Sequence, residues 1–191
     1  MAEMINEKPA DVLSVNKWKF ITWIFIITIV MLFASQTSAY LVRRAEGNWT
    51  EFTIPNIFYW STFVLICSSV FMQIGYRFAK KDELQKVKLF IILAFTFGIV
   101  FLVMQYLGWL DLQKTGIFLK GNPSGSFLYI LTGLHCFHLV TGLIVLLFTL
   151  KGAIKSQIHS QNLTQMEVSL TYWHFLDLLW VYLFVFLLYF R

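Results

Sequence analysis

The sequence predicts an all-α membrane protein, a polytopic bundle of five transmembrane helices with little soluble mass. Three observations predict it. Hydrophobic residues make up 58% of the 191 residues and charged residues only 13%, against roughly 45–50% and 25% in a soluble domain. The apolar excess comes in five long blocks, and most charges fall between them. Each block supplies about the 20 apolar residues that a helix needs to cross a hydrocarbon core of roughly 30 Å.

The blocks run at about residues 18–40, 57–76, 88–110, 127–150 and 168–190. Backbone polar groups in lipid must be satisfied within their own segment, which at these lengths means helix. A barrel would show alternating segments of about 10 residues, and the chain has no such pattern. Span one opens at Trp18 and is followed by Arg43 and Arg44. Pro55 stands before span two, and Tyr76 closes it. Trp109 marks the end of span three, Gly121-Asn122-Pro123 leads into span four, and Glu167 stands at the mouth of span five. Proline and glycine punctuate the loops as expected. Trp18, Trp49, Tyr76, Trp109 and Tyr189 fit an interfacial aromatic belt. With no internal repeat or low-complexity tract, residues 18–191 read as one transmembrane domain behind a tail, residues 1–17. That tail contains Glu3, Glu7, Lys8 and Asp11, unlike a secretory signal. The first span is expected to be its own uncleaved insertion signal.

The formal net charge is +5. The basic residues sit in short loops beside apolar blocks, so they orient the chain in a bilayer rather than bind nucleic acid. Lys8, Lys17, Lys19, Arg77, Lys80, Lys81, Lys86, Lys88, Lys151 and Lys155 fall on one side. Arg43, Arg44, Lys114, Lys120 and Arg191 fall on the other. The positive-inside rule then puts the N-terminus in the cytoplasm and the C-terminus outside. Cys67 and Cys136 both lie within apolar blocks, where a buried free thiol is the default.

Ionisable residues inside a membrane are costly and mark function by default. Span four holds His135 and His138; span five holds His174 and Asp177, with Glu167 just ahead. The i,i+3 spacing puts each pair on one helix face. A metal or haem site from these side chains is the sharp reading. Depth opposes it: at about 1.5 Å per residue, His138 and Asp177 both come near the midplane, but His174 lies roughly 10 Å from His135 in height. Interhelical His–Asp or His–backbone hydrogen bonds are the favoured reading, and no metal or cofactor ligand is assigned. No catalytic triad, CxxC or phosphate-binding loop is present. Gly133, Gly142, Thr132 and Thr141 around the span-four histidines are small residues of the kind that let helices approach closely, as are Ser68, Ser69, Ser35, Thr37 and Ser38.

These segments resemble a known family. Tyr172 to Phe190 reads YWHFLDLLWVYLFVFLLYF, and Phe127 to Gly142 reads FLYILTGLHCFHLVTG. Together they look like the signature of subunit III of the haem–copper oxidases, in its short five-helix form. Met31 to Arg44, Ser61 to Gln73 and LGWLDL after Gln105 are similar more weakly. The resemblance implies a non-catalytic subunit of a respiratory terminal oxidase, most simply a cytochrome c oxidase that couples oxygen reduction to proton pumping. Such a subunit has no activity alone. It packs against catalytic subunit I, binds phospholipid in a cleft, and supports proton uptake. Haem and copper are expected in subunit I, and copper in subunit II. The implied location is the bacterial cytoplasmic membrane, with room for a larger respiratory supercomplex. Carried over by motif, the lipid-binding or structural polar residues are His135, His138, Glu167, Tyr172, Trp173, His174, Asp177 and Trp180.

Two departures stand out. Many members carry glutamate where this chain has Ile29 and Gly108, which leaves Asp177 as the acid expected near midplane. Other readings remain: subunit III of a quinol oxidase, a subunit-III-like partner of nitric oxide reductase, or a stand-alone transporter using His138 and Asp177 as a proton relay. Transporters often show repeats and broken helices, which this sequence lacks.

Overall fold

A computed structural model of the chain describes residues 16–155 and 162–190. Most of the expected tail, residues 1–15, and Arg191 lie outside the described residues. Five helices form: α1 (Lys17–Ala45), α2 (Ile57–Ala79), α3 (Leu84–Lys114), α4 (Pro123–Ile154) and α5 (Thr164–Phe190). All five are long and apolar enough to cross a membrane.

Most helices outrun their apolar blocks by about a turn at one or both ends. Apolar counting marks only the hydrocarbon crossing, whereas capping chemistry extends the helix into the headgroup zone. The Asn16 side chain accepts from Trp18 N and Lys19 N to start α1, and Arg43 and Arg44 sit in its last turn, where cations favour the helix dipole. Asn122 accepts from Ser124 N, with Pro123 in the first turn of α4, where a missing N–H costs nothing. After α3, Gly116 turns left-handed at φ 83°. Gly116 N then bonds Gln113 O and Ile117 N bonds Leu112 O, the paired closure of a Schellman end.

Four helices form a ring in which each touches two neighbours: α2 with α3, α3 with α4, α4 with α5, and α5 back to α2. The fifth, α1, packs only on α4 and α5. The α2–α3 hairpin is the tightest unit. Its buried positions are Phe58, Ser61, Leu65, Ser68, Met72, Gly75 and Ala79 on α2. On α3 they are Val87, Ile91, Ala94, Gly98, Phe101, Gln105, Gly108 and Leu112. Spacing alternates between three and four on both helices, the seam of a left-handed coiled coil. Polar groups stitch that seam: Ser68 Oγ donates to Ala94 O at 2.8 Å, and Gln105 Nε2 donates to Ser61 Oγ at 2.8 Å.

α1 buries a narrower stripe, Ile26, Ile29, Phe33, Thr37 and Tyr40. Its far end is tied down by Tyr40 Oη, which donates to Phe190 O at 3.0 Å, and by Tyr182 Oη, which donates to Thr37 Oγ1 at 3.2 Å. Ser35 and Ser38 lie on the exposed side of α1. The small-residue expectation therefore holds unevenly. A side chain at Gly142 would collide with Leu176 and Trp173, whereas one at Gly133 would meet nothing nearer than Trp109 at 4.0 Å.

Candidate functional site

The centre of the bundle is built on Trp173 and Trp180 of α5, both fully buried. Trp173 lies between Gly98 of α3 and Gly142 of α4, and its Nε1 donates to Ser68 Oγ at 3.1 Å. Trp180 donates from Nε1 to Thr62 Oγ1 at 2.9 Å. Its ring stacks at 17° on Phe58 and meets Phe101 edge-on. Burying two indoles fully requires a partner for each N–H, and α2 supplies both.

The four span-four and span-five ionisable groups do not converge. His135 is fully buried, with its ring 5.0 Å from that of Trp180 and 5.9 Å from that of Phe101, and neither ring nitrogen has a hydrogen-bond partner. His138 turns the other way. Its ring lies 5.7 Å from that of Phe33 on α1, and its Nδ1 pairs with Leu134 O of its own helix at 2.8 Å. The His138–Asp177 relay weighed from sequence is not formed: His138 Nδ1 pairs with Leu134 O, and neither Asp177 carboxyl oxygen has a hydrogen-bond partner. Height along the membrane normal was the wrong coordinate, because positions three apart also differ by about 60° around the axis. That rotation sends His135 into the ring and His138 outward to α1. Among the described residues no three His, Cys, Asp or Glu side chains gather as a metal site.

His174 and Asp177 do share the α2-facing side. His174 Nδ1 pairs with Ser69 Oγ at 2.5 Å, and Nε2 pairs with Gln73 Oε1 at 3.0 Å. Asp177 is 6% exposed and neither carboxyl oxygen has a hydrogen-bond partner. One end of the same face carries Glu167, which accepts from Tyr76 Oη at 2.9 Å and pairs with Lys19 Nζ at 2.6 Å. Tyr172 bonds Thr141 at 2.7 Å. Sequence reasoning missed Lys19, Thr62, Gln73 and the pairings of Ser69 and Tyr76. The signal was available: Thr62, Ser69, Gln73 and Tyr76 form one stripe at spacings of seven, four and three on an otherwise apolar helix.

Two clefts flank the inner face of α1. One, of about 230 Å³, lies between α1, α2 and α5 and is lined by Lys19, Trp23, Tyr76, Glu167 and Thr171 among others. The second, of about 170 Å³, lies between α1, α4 and α5 and is lined by apolar side chains with Thr22, Thr141 and Tyr172.

Comparison with known proteins covers the motif segments of α4 and α5 together with the rest of the chain. The family model for cytochrome c oxidase subunit III matches residues 12–191. The chain belongs to the cytochrome c oxidase subunit III family. Among its relatives, the cytochrome c oxidase subunit 3 of Corynebacterium diphtheriae is 29% identical over 93% of this chain and 91% of its own length. A probable cytochrome c oxidase subunit 3 of Nocardia farcinica is 31% identical over 85% of this chain and 83% of its own. A probable quinol oxidase subunit 3 of Staphylococcus saprophyticus is more distant, at 24% over 90% and 87%.

As a subunit III of a terminal oxidase, the chain is an integral membrane protein of an accessory family, and its partners are other oxidase subunits. The two positions where the subunit III resemblance leads one to expect glutamate are sealed by apolar packing. Ile29 is 2% exposed within the α1 stripe. At Gly108 a Cβ would lie 2.6 Å from the Phe58 ring, so Phe58 occupies the space that a longer side chain would need.

Proposed function

We propose that the chain is the non-catalytic subunit III of a cytochrome c oxidase in a bacterial cytoplasmic membrane. Haem and copper reside in subunit I and further copper in subunit II. The chain packs laterally against subunit I, stabilises it, and supports its proton uptake. The observation that carries this reading is the match, over 93% and 85% of the chain, with relatives named cytochrome c oxidase subunit 3 and probable cytochrome c oxidase subunit 3. Quinol oxidase is the second reading, favoured by the more distant relative of that name.

Phospholipid is proposed to lie in the two clefts beside α1. The cleft at Lys19 offers a cation, a tyrosine and a tryptophan, the side chains of a headgroup region, and the second offers an apolar wall for acyl chain. Glu167 and Tyr172 each line one of them. Trp173 and Trp180 serve as packing anchors, and His135, His138, His174 and Asp177 as internal polar groups. The N-terminus faces the cytoplasm, on the strength of the ten basic residues on that side among fifteen in all.

Purification in mild detergent tests the assignment. Haem absorption and subunits I and II should travel with the chain, and the complex should take up oxygen with reduced cytochrome c. Uptake with quinol but not cytochrome c selects the second reading, and a haem-free chain overturns both. Orientation is checked by thiol labelling of intact cells: Lys120→Cys should react and Lys81→Cys should not until the membrane is opened. The reverse pattern overturns the topology.

A further inference from the structure

At the end of the bundle that holds the α3–α4 connection, two loops treat their apolar side chains in opposite ways. The α1–α2 loop tucks Phe52 and Ile54 inward, at 4% and 8% exposure. The α3–α4 loop, residues 115–122, leaves Phe118 and Leu119 at 54% and 52%. Yet its backbone is pinned to both of its helices. Ile117 N bonds Leu112 O of α3, and Tyr129 Oη of α4 donates to Ile117 O at 3.0 Å. Ser126 Oγ donates to Leu119 O at 2.7 Å. Gly125 packs so closely on the loop that a Cβ there would lie 2.7 Å from Phe118 O. Asn122 Nδ2 donates to Asn48 O at 3.0 Å and so joins the two loops. Built contacts, not slack chain, hold Phe118 and Leu119 outward.

The same contacts set the height of the loop. The apolar block of α4 begins at Phe127. Ser126 and Gly125, which hold Leu119 and Phe118, stand one and two residues before it, about 1.5–3 Å along the axis. Either apolar side chain is longer than that step. The loop therefore does not rise into water but folds back to the edge of the hydrocarbon. Exposed Trp60 near the start of α2 and Tyr189 near the end of α5 place an interfacial aromatic belt at this same end. Lys120 follows the apolar pair, and a lysine stem lets its ammonium reach the phosphate layer while its carbons stay in apolar surroundings. Two side chains cover far less than the roughly 800 Å² per partner of a specific protein interface. Bilayer lipid is the occupant that this size, height and charge fit.

We propose that the tip of the α3–α4 loop is a membrane foot. Phe118 and Leu119 insert where the acyl chains of the adjacent leaflet meet the headgroups, and Lys120 meets the phosphates. The foot answers a need of these two helices. α3 has 31 residues and α4 has 32, roughly 46–48 Å of helix against a hydrocarbon core of roughly 30 Å. Helix length alone therefore leaves their height in the bilayer open. The foot sets a stop in both directions. Sliding outward lifts Phe118 and Leu119 into water, and sliding inward drags Lys120 out of the phosphate layer.

Spin-label accessibility tests the foot. The full chain, in the complex it retains, is placed in vesicles of phosphatidylethanolamine and phosphatidylglycerol with a nickel chelate on both sides. Cys67→Ala and Cys136→Ala remove the native thiols, and labels are attached at Phe118→Cys, at Leu119→Cys and, as a reference, at exposed Glu51→Cys of the other loop. Oxygen collisions should outweigh nickel collisions at 118 and 119, with a ratio several-fold above that at 51. Nickel collisions in excess at 118 and 119 would show a loop in water and overturn the foot. Low collision rates with both reagents would show a protein partner over the tip and overturn it equally. Gly125→Ala, which forces a methyl group against Phe118 O, should shift the label at 119 toward nickel; an unchanged ratio there overturns the role given to the Gly125 contact. Should Gly125→Ala fail to assemble, the ratios at 118 and 119 decide alone. Absence of haem from the preparation overturns the oxidase reading and leaves this test intact.

Discussion

Placing a methyl group at Gly98 tests whether the bundle is organised around Trp173. A Cβ there would lie 2.8 Å from Trp173 Cη2, 2.9 Å from Leu143 Cδ2 and 3.1 Å from Trp173 Cζ2. The indole has little room to retreat, because the same ring is packed so closely on Gly142 that a Cβ there would lie 3.2 Å from it. Overpacking of this kind costs about 1–3 kcal/mol, and the rigid double clamp argues for the upper half of that range. Alanine's helix preference over glycine offsets about 1 kcal/mol. Gly98→Ala should therefore lose about 1–2 kcal/mol net. Gly133→Ala, with nothing nearer than Trp109 at 4.0 Å, should gain up to about 1 kcal/mol. Denaturation in SDS-containing mixed micelles, followed by tryptophan fluorescence, measures both. Trp173→Phe removes the two indole atoms that a Cβ at Gly98 would meet and leaves Leu143 Cδ2 at 2.9 Å, the end of a flexible side chain, so in that background Gly98→Ala should cost clearly less, giving a coupling energy of about 1 kcal/mol. Shifts of the same sign at Gly98 and Gly133, or zero coupling with Trp173→Phe, would refute the clamp.

Three further outcomes are expected. His135→Leu should leave stability unchanged or raise it by up to about 1 kcal/mol, since it removes a buried ring with two unpartnered nitrogens; a clear loss in the same unfolding assay would refute this. Tyr172→Phe removes the hydroxyl that pairs with Thr141 and should cost about 0.6 kcal/mol, the average for hydrogen bonds inside a bilayer; a loss several times larger would mean that the hydroxyl does more than this. Lys19→Ala removes the ion pair that ties the start of α1 to α5. It should broaden the distance distribution between spin labels at those two ends, in a cysteine-free background, while the labels near Tyr40 and Phe190 keep theirs. An unchanged distribution at the Lys19 end would show that packing alone holds α1.

The sequence by itself determined the number of helices, their membrane class and their family, because these depend on local composition and on motif strings. Block length alone implies helix where water is absent, and Tyr172 to Phe190 carries its signature as contiguous text. It also marked Asp177 as unusual, since a lone acid in an apolar span is visible without any fold. Which helix each polar side chain faces was decided only by the tertiary structure. His135 and His138 are neighbours in text, yet one enters the ring against Trp180 and the other turns out to Phe33. Asp177 and His138 come near the same depth in the count, yet His138 bonds Leu134 O and no hydrogen bond reaches the Asp177 carboxyl. The physical reason is that depth follows from counting residues, but direction around the axis has meaning only once neighbours are assigned. Gly98 and Gly133 make the same point. They are the same residue in the same kind of helix, and only the positions of Trp173 and Leu143 decide that one must be glycine and the other need not be.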